Sequence, residues 1–252
     1  MKKRAVIYLT FILSLMCLHV GAQISDSSIN IWQVNAHYAF QVPCADMAEK
    51  FGVNSAVGVG LTYKLSNRIM LGAEVSYLFG SVIKRDSTIL DGLRSSNGEI
   101  INEYGEYARI ICSQRGFYAG AKIGYLIPVL GPNQNSGIVV ELGCGLLQHH
   151  IRIENKDNNT PPVLGDYKKG YDRLSNGLAI KPFLGYQYLD NSKLINFYVG
   201  IEFYQAWTMC RRDFNFDTMS RDNTVNNDRL FSVTAGWILP IYRRAPEKFY
   251  YY

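Results

Sequence analysis

The sequence lacks any apolar run long enough for a membrane helix: its longest, residues 5–20, lies near its start and is too short for a membrane anchor. After residues 5–20, no segment reaches the roughly 18 consecutive apolar residues that a transmembrane helix requires. This absence excludes membrane helices from the rest of the chain. Low-complexity segments and repeats of fixed length are also missing, which excludes solenoids and other repeat arrays.

The chain also lacks a large excess of positive or negative charge. The chain carries 26 Lys and Arg against 21 Asp and Glu. Three of the basic residues are Lys2, Lys3 and Arg4, so the chain from Gln23 onward carries 23 − 21 = +2. A balance this small gives no electrostatic reason to expect a nucleic-acid partner.

The five cysteines are few and widely spaced. No Cys-x-x-Cys pair of a zinc or redox site occurs, and the stretch 155–159, "NKDNN", lacks the ligand spacing of a calcium loop. We therefore expect no metal and no cofactor. The spacing leaves open whether one disulfide joins two of Cys44, Cys112 and Cys210 or all three stay thiols.

The N-terminal segment has the pattern of a secretory signal peptide. A basic stretch at 2–4 precedes the apolar run 5–20, and the small residues Gly21 and Ala22 close it. We expect residues 1–22 to be a signal peptide that is removed on export.

Alternation of apolar and other side chains is the strongest pattern in the remainder. Eight segments of roughly ten residues place apolar side chains at every second position, as β-strands with two different faces do. They cover residues 32–40, 57–63, 71–79, 117–125, 138–146, 180–188, 195–203 and 231–239. The 18 tyrosines and 12 phenylalanines also favour strands.

The two faces and the connections indicate how the strands assemble. One face is apolar, with aromatic residues toward its ends, and suits lipid; the other carries glycine, small polar and charged residues and suits the interior of a small barrel. The connections alternate between short and long, as periplasmic turns and extracellular loops of outer-membrane barrels do. The short ones are 66–68, 128–136 and 190–193, and the long ones are 43–54, 81–115, 149–177 and 208–229.

We therefore predict an all-β protein, an eight-stranded antiparallel transmembrane β-barrel of the outer-membrane type. The barrel takes up residues 23–245, and a C-terminal aromatic tail takes up residues 246–252. With an even number of strands, both termini face the periplasm of a cell outer membrane.

Glu202 tests this fold, because it lies inside the aromatic stretch "NFYVGIEFYQAW". An unpaired carboxylate buried there would cost several kcal/mol, on the order of 2–7 even for a neutral polar group. If 191–192 is a two-residue turn, residues whose numbers sum to 383 face each other, and Lys181 and Glu202 do. We predict that Lys181 and Glu202 form an ion pair inside the barrel.

The same arithmetic around 131–132 places Lys122 opposite Glu141, with Glu74 at a similar height on the next strand. We predict a lumen plug of two groups, Glu74–Lys122–Glu141 and Lys181–Glu202. Since an eight-stranded barrel has room only for its own side chains or one small ligand, we expect no water-filled pore.

Two histidines suggest an enzymatic alternative. Some small outer-membrane barrels are lipid A deacylases or palmitoyltransferases, which use His with Ser or acidic partners near the outer leaflet. His149 and His150 lie at the extracellular end of the fifth segment, with Glu154 and Ser175 in the same connection. No local motif brings a nucleophile to a base, so we interpret both histidines as ordinary interface or loop residues and keep the enzyme as an alternative.

Arginines are frequent near the extracellular ends of the segments. Arg115, Arg152, Arg211 and Arg212 are candidates for contacts with lipopolysaccharide, because guanidinium groups match phosphate in two-pronged geometry. A solvated rim is the equal alternative.

The signal ending in "GAQ", the eight alternating segments and the close "GWILPIYRRAPEKFYYY" resemble small outer-membrane barrels of Bacteroidota, the group that includes the PorT-like proteins. The stretches "VPCADMAEKFG" (42–52) and "KKGYDRLSNGL" (168–178) also look like parts of such a family. The resemblance implies a protein partner in type IX secretion or in barrel-assembly machinery, and it supplies no catalytic residues.

Three functions follow in order of preference. The first is a non-enzymatic structural or accessory subunit of an outer-membrane complex, surrounded by outer-membrane lipids and lipopolysaccharide. The second is an outer-leaflet lipid A-modifying enzyme. The third is a surface module that binds sugar or protein, suggested by tyrosines in the long connections: Tyr104, Tyr107, Tyr167 and Tyr171.

Overall fold

The computed structural model describes residues 28–84, 89–157, 159–190 and 195–242. Eight antiparallel strands close into a barrel in which each strand pairs with the next and the eighth pairs with the first. The strands are β1 (Ile31–Cys44), β2 (Asn54–Lys64), β3 (Ile69–Gly80), β4 (Ile110–Ile127), β5 (Gly137–Asn155), β6 (Ser175–Leu189), β7 (Asn196–Cys210) and β8 (Val225–Tyr242). The predicted eight-stranded fold is confirmed.

The two ends of the barrel differ in the length of their connections. At the short-turn end lie the connections 65–68, 128–136 and 190–195, together with the first residue of β1 and the last of β8. At the long-loop end lie the connections 45–53, 81–109, 156–174 and 211–224. The predicted signal peptide 1–22 and aromatic tail 246–252 fall outside the described residues.

The strands run further toward the long-loop end than the apolar alternation predicts. β4 and β5 stay paired up to Ile110 and Asn155, well beyond the last apolar position expected in either strand. The backbone ladder needs only N–H and C=O groups, so it continues where outward side chains turn polar, as at Arg152. The predicted loops 81–115, 149–177 and 208–229 are correspondingly too long.

The outer face of the barrel is an apolar belt. Val59, Leu142 and Trp237 are each more than half exposed. Their inward neighbours in the strand are glycine or polar, as the alternation predicts, except for the buried Ile238 beside Trp237. Aromatic side chains gather at both borders of the belt. At the short-turn border these are Trp32, Tyr63, Tyr125, Tyr186, Tyr188, Phe197 and Trp237, and toward the long-loop border Tyr38, Phe40, Tyr77, Phe79, Phe117, Phe203 and Trp207.

The half of the lumen nearer the long loops is filled by an apolar core. Its members are buried residues from the strand interiors and from the loops: Leu78, Tyr118, Leu147, Ile151, Tyr204, Leu230, Met47, Phe51, Ile89, Leu90 and Val163. Sequence reasoning expected only small and charged residues inside the barrel, and for this half the expectation is wrong. Large side chains fit there because they meet apolar loop residues rather than water.

A short helix, α1 (Ala45–Lys50), covers the mouth of the barrel at the long-loop end. It buries Met47 in the apolar core, and the Asp46 carboxylate accepts a hydrogen bond of 2.7 Å from the backbone N–H of Asn227 in β8. No helix in the described ranges is long and apolar enough to cross a membrane.

Candidate functional site

The middle of the lumen holds a connected network of five charged side chains. Lys122 Nζ lies 2.8 Å from Glu141 Oε2 and 3.7 Å from Glu74 Oε2. Lys181 Nζ lies 3.3 Å from Glu202 Oε1 and also forms an ion pair with Glu74. The structure thus brings together all five predicted plug residues and joins the two predicted groups across the lumen through Glu74.

The strand register that led to these pairs is wrong by two residues. Glu202 lies opposite Phe183 rather than Lys181, and Glu141 lies opposite Gly124 rather than Lys122. The side-chain period of a strand is two residues, so a shift of two keeps every side chain on its face, and diagonal neighbours remain within reach of long side chains. The predicted turn at 191–192 lies outside the described residues.

Aromatic rings seal the network on its long-loop side. The rings of Tyr118 and Tyr204 lie 5.4 and 5.5 Å from Lys181 Nζ, close enough for cation–π attraction. The Tyr204 hydroxyl donates a hydrogen bond of 3.3 Å to Glu202 Oε2. Glu202 is tolerated in an aromatic strand because it points inward to a lysine and a tyrosine hydroxyl.

The two histidines considered for catalysis have opposite orientations. His149 points into the barrel and is 1% exposed. Its Nε2 lies 2.8 Å from Asp228 Oδ2, which also accepts a hydrogen bond of 2.5 Å from the Thr208 hydroxyl. His150 points outward and is half-buried beside the long loops.

Neither histidine is hydrogen-bonded to a nucleophile in the part of the chain that the structure describes. Ser175 lies opposite His149 in the strand register, but its hydroxyl donates to the Arg173 carbonyl oxygen at 3.1 Å. Glu154 forms an ion pair of 2.8 Å with Arg152 instead of approaching a histidine. The geometry therefore supplies no activated serine.

The four candidate arginines do not form one cluster. Arg115 donates to the Gln114 carbonyl oxygen at 2.7 Å, and Arg211 donates to Asn176 Oδ1 at 2.5 Å. Arg152 and Arg212 share a cleft of about 650 Å³ with three lysines, Lys156, Lys168 and Lys169.

Within this cleft, two nitrogens of Arg212 donate hydrogen bonds to the Asp172 carboxylate. Arg212 Nε lies 2.8 Å from Asp172 Oδ1. The hydrogen bond that Arg212 donates to the Asp172 carboxylate raises the pKa of the guanidinium above its usual range.

The structure contains a chamber at the mouth of the barrel that the sequence analysis did not predict. It has a volume of about 620 Å³ and is bounded by α1, the upper lumen wall and three long loops. Its lining includes Lys50, Phe51, His149, Arg173 and Asp217. The sequence singles out His149 and the stretches "VPCADMAEKFG" and "KKGYDRLSNGL", which contain Lys50, Phe51 and Arg173. It does not predict that these distant segments meet, or that Asp217 joins them.

The described residues contain neither a cluster of metal-binding side chains nor a disulfide. No group of three or more His, Cys, Asp and Glu side chains there is arranged to hold a metal ion. No disulfide joins the four cysteines described: Cys44 and Cys144 are exposed, and Cys112 and Cys210 are buried.

Comparison with known proteins gives structural neighbours only. No protein-family model and no curated protein matches the sequence. The chain is similar to Ail, the attachment invasion locus protein of Yersinia pestis, solved with the heparin analogue sucrose octasulfate. The TM-score is 0.43 and the identity 9%, over 83% of this chain and 99% of that one.

Two proteins of Pseudomonas aeruginosa are also similar. The N-terminal β-barrel domain of OprF has a TM-score of 0.36 and 11% identity, over 82% of this chain and 96% of that one. The outer membrane protein OprG has a TM-score of 0.37 and 10% identity, over 85% and 97%. Similarities this low do not support a function for this chain. The barrel fold is established by the hydrogen-bonded strands of the chain itself.

Proposed function

We propose that this chain is a pore-free outer-membrane barrel that acts without catalysis, as a structural or accessory subunit of an outer-membrane complex. The observation that carries the proposal is the contrast between its two surfaces. The outer face is an apolar belt bordered by aromatic residues, whereas the lumen is filled by ion pairs and an apolar core.

The belt supports insertion in a membrane. A soluble monomer rarely exposes an apolar patch larger than a few hundred Å², whereas this belt runs around the whole barrel. Aromatic residues at both borders match the two interfaces of a bilayer. Short turns are typical of the periplasmic side, so we assign the short-turn end and both termini to the periplasm and the long-loop end to the cell exterior.

The filled lumen supports a role other than transport. Lys181, Glu74 and Glu202 are each 5% exposed or less at mid-lumen, and Tyr118 and Leu147 close the next layer. A route for ions or solutes would require all of these side chains to move.

The long loops support a role in binding a protein partner. They are tied down: Met47 and Val163 are buried in the apolar core, and Arg173 is ion-paired with Asp217. A pre-ordered surface loses little entropy when it binds. Tyr104 and Tyr167 are 73% and 66% exposed on it, whereas Tyr171, which the sequence predicts on the same surface, is buried.

The likeness to PorT-like barrels adds the expectation that the partner belongs to secretion or barrel-assembly machinery. The test is the native mass of a tagged full-length copy, extracted gently from its own outer membrane, with mass spectrometry of the proteins that co-purify. We expect a particle far larger than one processed chain, which is smaller than the 28.5 kDa of the full sequence, with its detergent. A bare monomer would contradict the proposal.

A loop variant sharpens this test. Tyr104→Ser with Tyr107→Ser removes two exposed rings from one loop, and we expect it to lose the partner. Met219→Ser is a matched control, because Met219 is 72% exposed in a different loop. Equal loss in both would indicate general loosening rather than a partner surface.

Lipopolysaccharide is the lipid partner that we propose, at the cleft lined by Arg152, Arg212 and three lysines. Its phosphates suit guanidinium groups, and Lys156 and Lys168 have no ion-pair partner among the described residues. We expect Lys156→Gln with Lys168→Gln to reduce co-purifying lipopolysaccharide, whereas Lys84→Gln, on another loop, leaves it unchanged. Equal amounts in both variants would contradict the contact.

We do not assign lipid A chemistry to His149. A group that acts on an outer-leaflet lipid must reach the outer face of the barrel, and His149 is buried inside it against Asp228 and Phe51.

A further inference from the structure

We infer that the chamber at the mouth of the barrel binds one neutral sugar unit. This goes beyond the proposed function, because neither a complex subunit nor a lipid-embedded barrel requires a small-ligand site. The inference rests on four properties of the chamber: its size, its apolar floor, its balanced charge and its unpaired buried polar atoms.

Size and place suit a ligand. The chamber holds about 620 Å³, within the roughly 300–1,000 Å³ of small-molecule sites, which often lie in the mouths of β-barrels. Its floor is the top of the apolar core, formed by Phe51, Ile89 and Ile151. The Phe51 ring meets His149 edge-on at 5.4 Å. An aromatic and aliphatic floor can receive the C–H face of a sugar ring.

The charges that line the chamber cancel. Lys50 and Arg173 are balanced by Asp217 and Asp222, and Arg173 is ion-paired with both carboxylates. A charged ligand would upset this balance in a confined space, where electrostatic interactions are strong. The chamber therefore favours a neutral ligand over an acid or an amine.

The surroundings of Asp222 favour its ionised form. Burial by itself raises the pKa of the Asp222 carboxyl, but hydrogen bonds from Thr224 and the positive charges of Arg173 and Lys50 bring it below its usual range. The Thr224 backbone N–H and hydroxyl donate to Asp222 Oδ1 at 3.0 and 2.5 Å.

Two buried polar atoms at the chamber have no hydrogen-bond partner in the part of the protein that the structure describes. They are Asp217 Oδ1 and His149 Nδ1. The Asp217 oxygen accepts hydrogen bonds, whereas His149 Nδ1 donates or accepts according to the tautomer of the ring. Because leaving such buried atoms unpaired is unfavourable, the chamber favours a ligand whose groups both donate and accept hydrogen bonds.

Donors at the chamber select the same chemistry. No described carboxylate lies within ion-pair distance of Lys50 Nζ, and Asn226 adds an amide at the lining. A hydroxyl group both donates and accepts, so a ring with several hydroxyls can satisfy Asp217, His149 and Lys50 at once. A neutral sugar has these groups on an uncharged ring.

The test uses the full mature barrel refolded in lipopolysaccharide-free detergent micelles. Calorimetric titrations compare methyl glucoside, methyl galactoside, methyl mannoside and N-acetylglucosamine with the charged analogues glucuronate and glucosamine. We expect saturable binding of at least one neutral sugar. We expect glucuronate and glucosamine to bind at least tenfold more weakly than that sugar. Failure of all four neutral sugars, or equal binding of the charged analogues, would overturn the inference.

Variants locate the site. Lys50→Met keeps the length of the side chain but loses its donors, and Asn226→Leu loses an amide; we expect each to weaken binding about 10-fold or more, the loss typical of a hydrogen bond to a charged or polar group. Arg109→Met, whose side chain is 71% exposed on a long loop outside the chamber, is the matched control. Unchanged affinity in Lys50→Met and Asn226→Leu, with folding verified by gel mobility of unheated samples, would also overturn the inference.

The sugar can come from a free glycan or from the outer sugars of lipopolysaccharide. Adding purified lipopolysaccharide before the titration separates the two sources. Blocked sugar binding assigns the chamber to lipopolysaccharide sugars, and unchanged binding assigns it to free glycans.

Discussion

Removing Lys181 should destabilise the barrel more than removing any surface lysine. Lys181 is 3% exposed at the centre of the lumen network and neutralises two carboxylates, Glu74 and Glu202. In Lys181→Ala, Glu74 keeps Lys122, but Glu202 keeps only the Tyr204 hydroxyl. Breaking a buried ion pair from one side costs about 3–5 kcal/mol, and we expect a loss of this size.

The assay is reversible urea unfolding in lipid vesicles, followed by tryptophan fluorescence. Lys168→Ala is the control, because Lys168 is exposed in a long loop and surface substitutions usually change stability by less than about 0.5 kcal/mol. Equal midpoints for the two variants would refute the view that the charges inside the barrel depend on one another.

A double variant separates lost charge from lost packing. Lys181→Met leaves three carboxylates with one lysine, whereas Lys181→Met with Glu202→Gln restores the native excess of one carboxylate. We expect the double variant to recover part of the stability, since neighbouring residues in one network are not additive. If the double variant loses more free energy of unfolding than the two single variants lose together, packing rather than charge dominates.

Three further predictions follow from the same geometry. The purified barrel should give no stable conductance in planar bilayers, because its lumen is filled; steady channel openings would contradict this. The lipid A mass spectrum of cells carrying His149→Ala or His150→Ala should match that of cells with the native protein, and a new acylation pattern would revive the enzymatic alternative. The pKa of Asp222 is depressed on folding, so its contribution to stability is present above the ordinary value of about 3.9 and is lost as pH falls through the folded value. Asp222→Asn should therefore lose less stability than the native protein as the pH falls from about 5, roughly one unit above the ordinary value, to about 2, roughly two units below it, as measured by thermal melts.

The strands could be predicted from the sequence because each strand has its own alternation of apolar and other side chains. The sequence predicted the register poorly because the register depends on the geometry of each turn, which two or three polar residues do not specify. The error of two residues left Lys181 and Glu202 in contact, since both stayed on the lumen face. An error of one residue would have placed Glu202 in lipid, so burial of charge restricts the register to even shifts.

The apolar upper lumen and the chamber were beyond sequence reasoning for a different reason. Leu78 and Leu147 stand beside other apolar residues in "YLFG" and "GLLQ", where both faces are apolar and alternation gives no assignment. The chamber is assembled from Lys50, His149 and Arg173, which three separate segments bring together. Such contacts depend on how loops fold back over the barrel, and no local periodicity records that.

The order of the layers inside the barrel limits what the chamber can do. A ligand that enters from the long-loop end meets Phe51 and Ile151, then the rings of Tyr118 and Tyr204, and then the ion-paired lysine Lys181. Each layer is buried and packed on the next, so a ligand has no route through the lumen to the short-turn end. Occupancy can therefore act only at the mouth, through contacts with α1 and the long loops. A ligand bound there would change the surface offered to a partner without crossing the membrane.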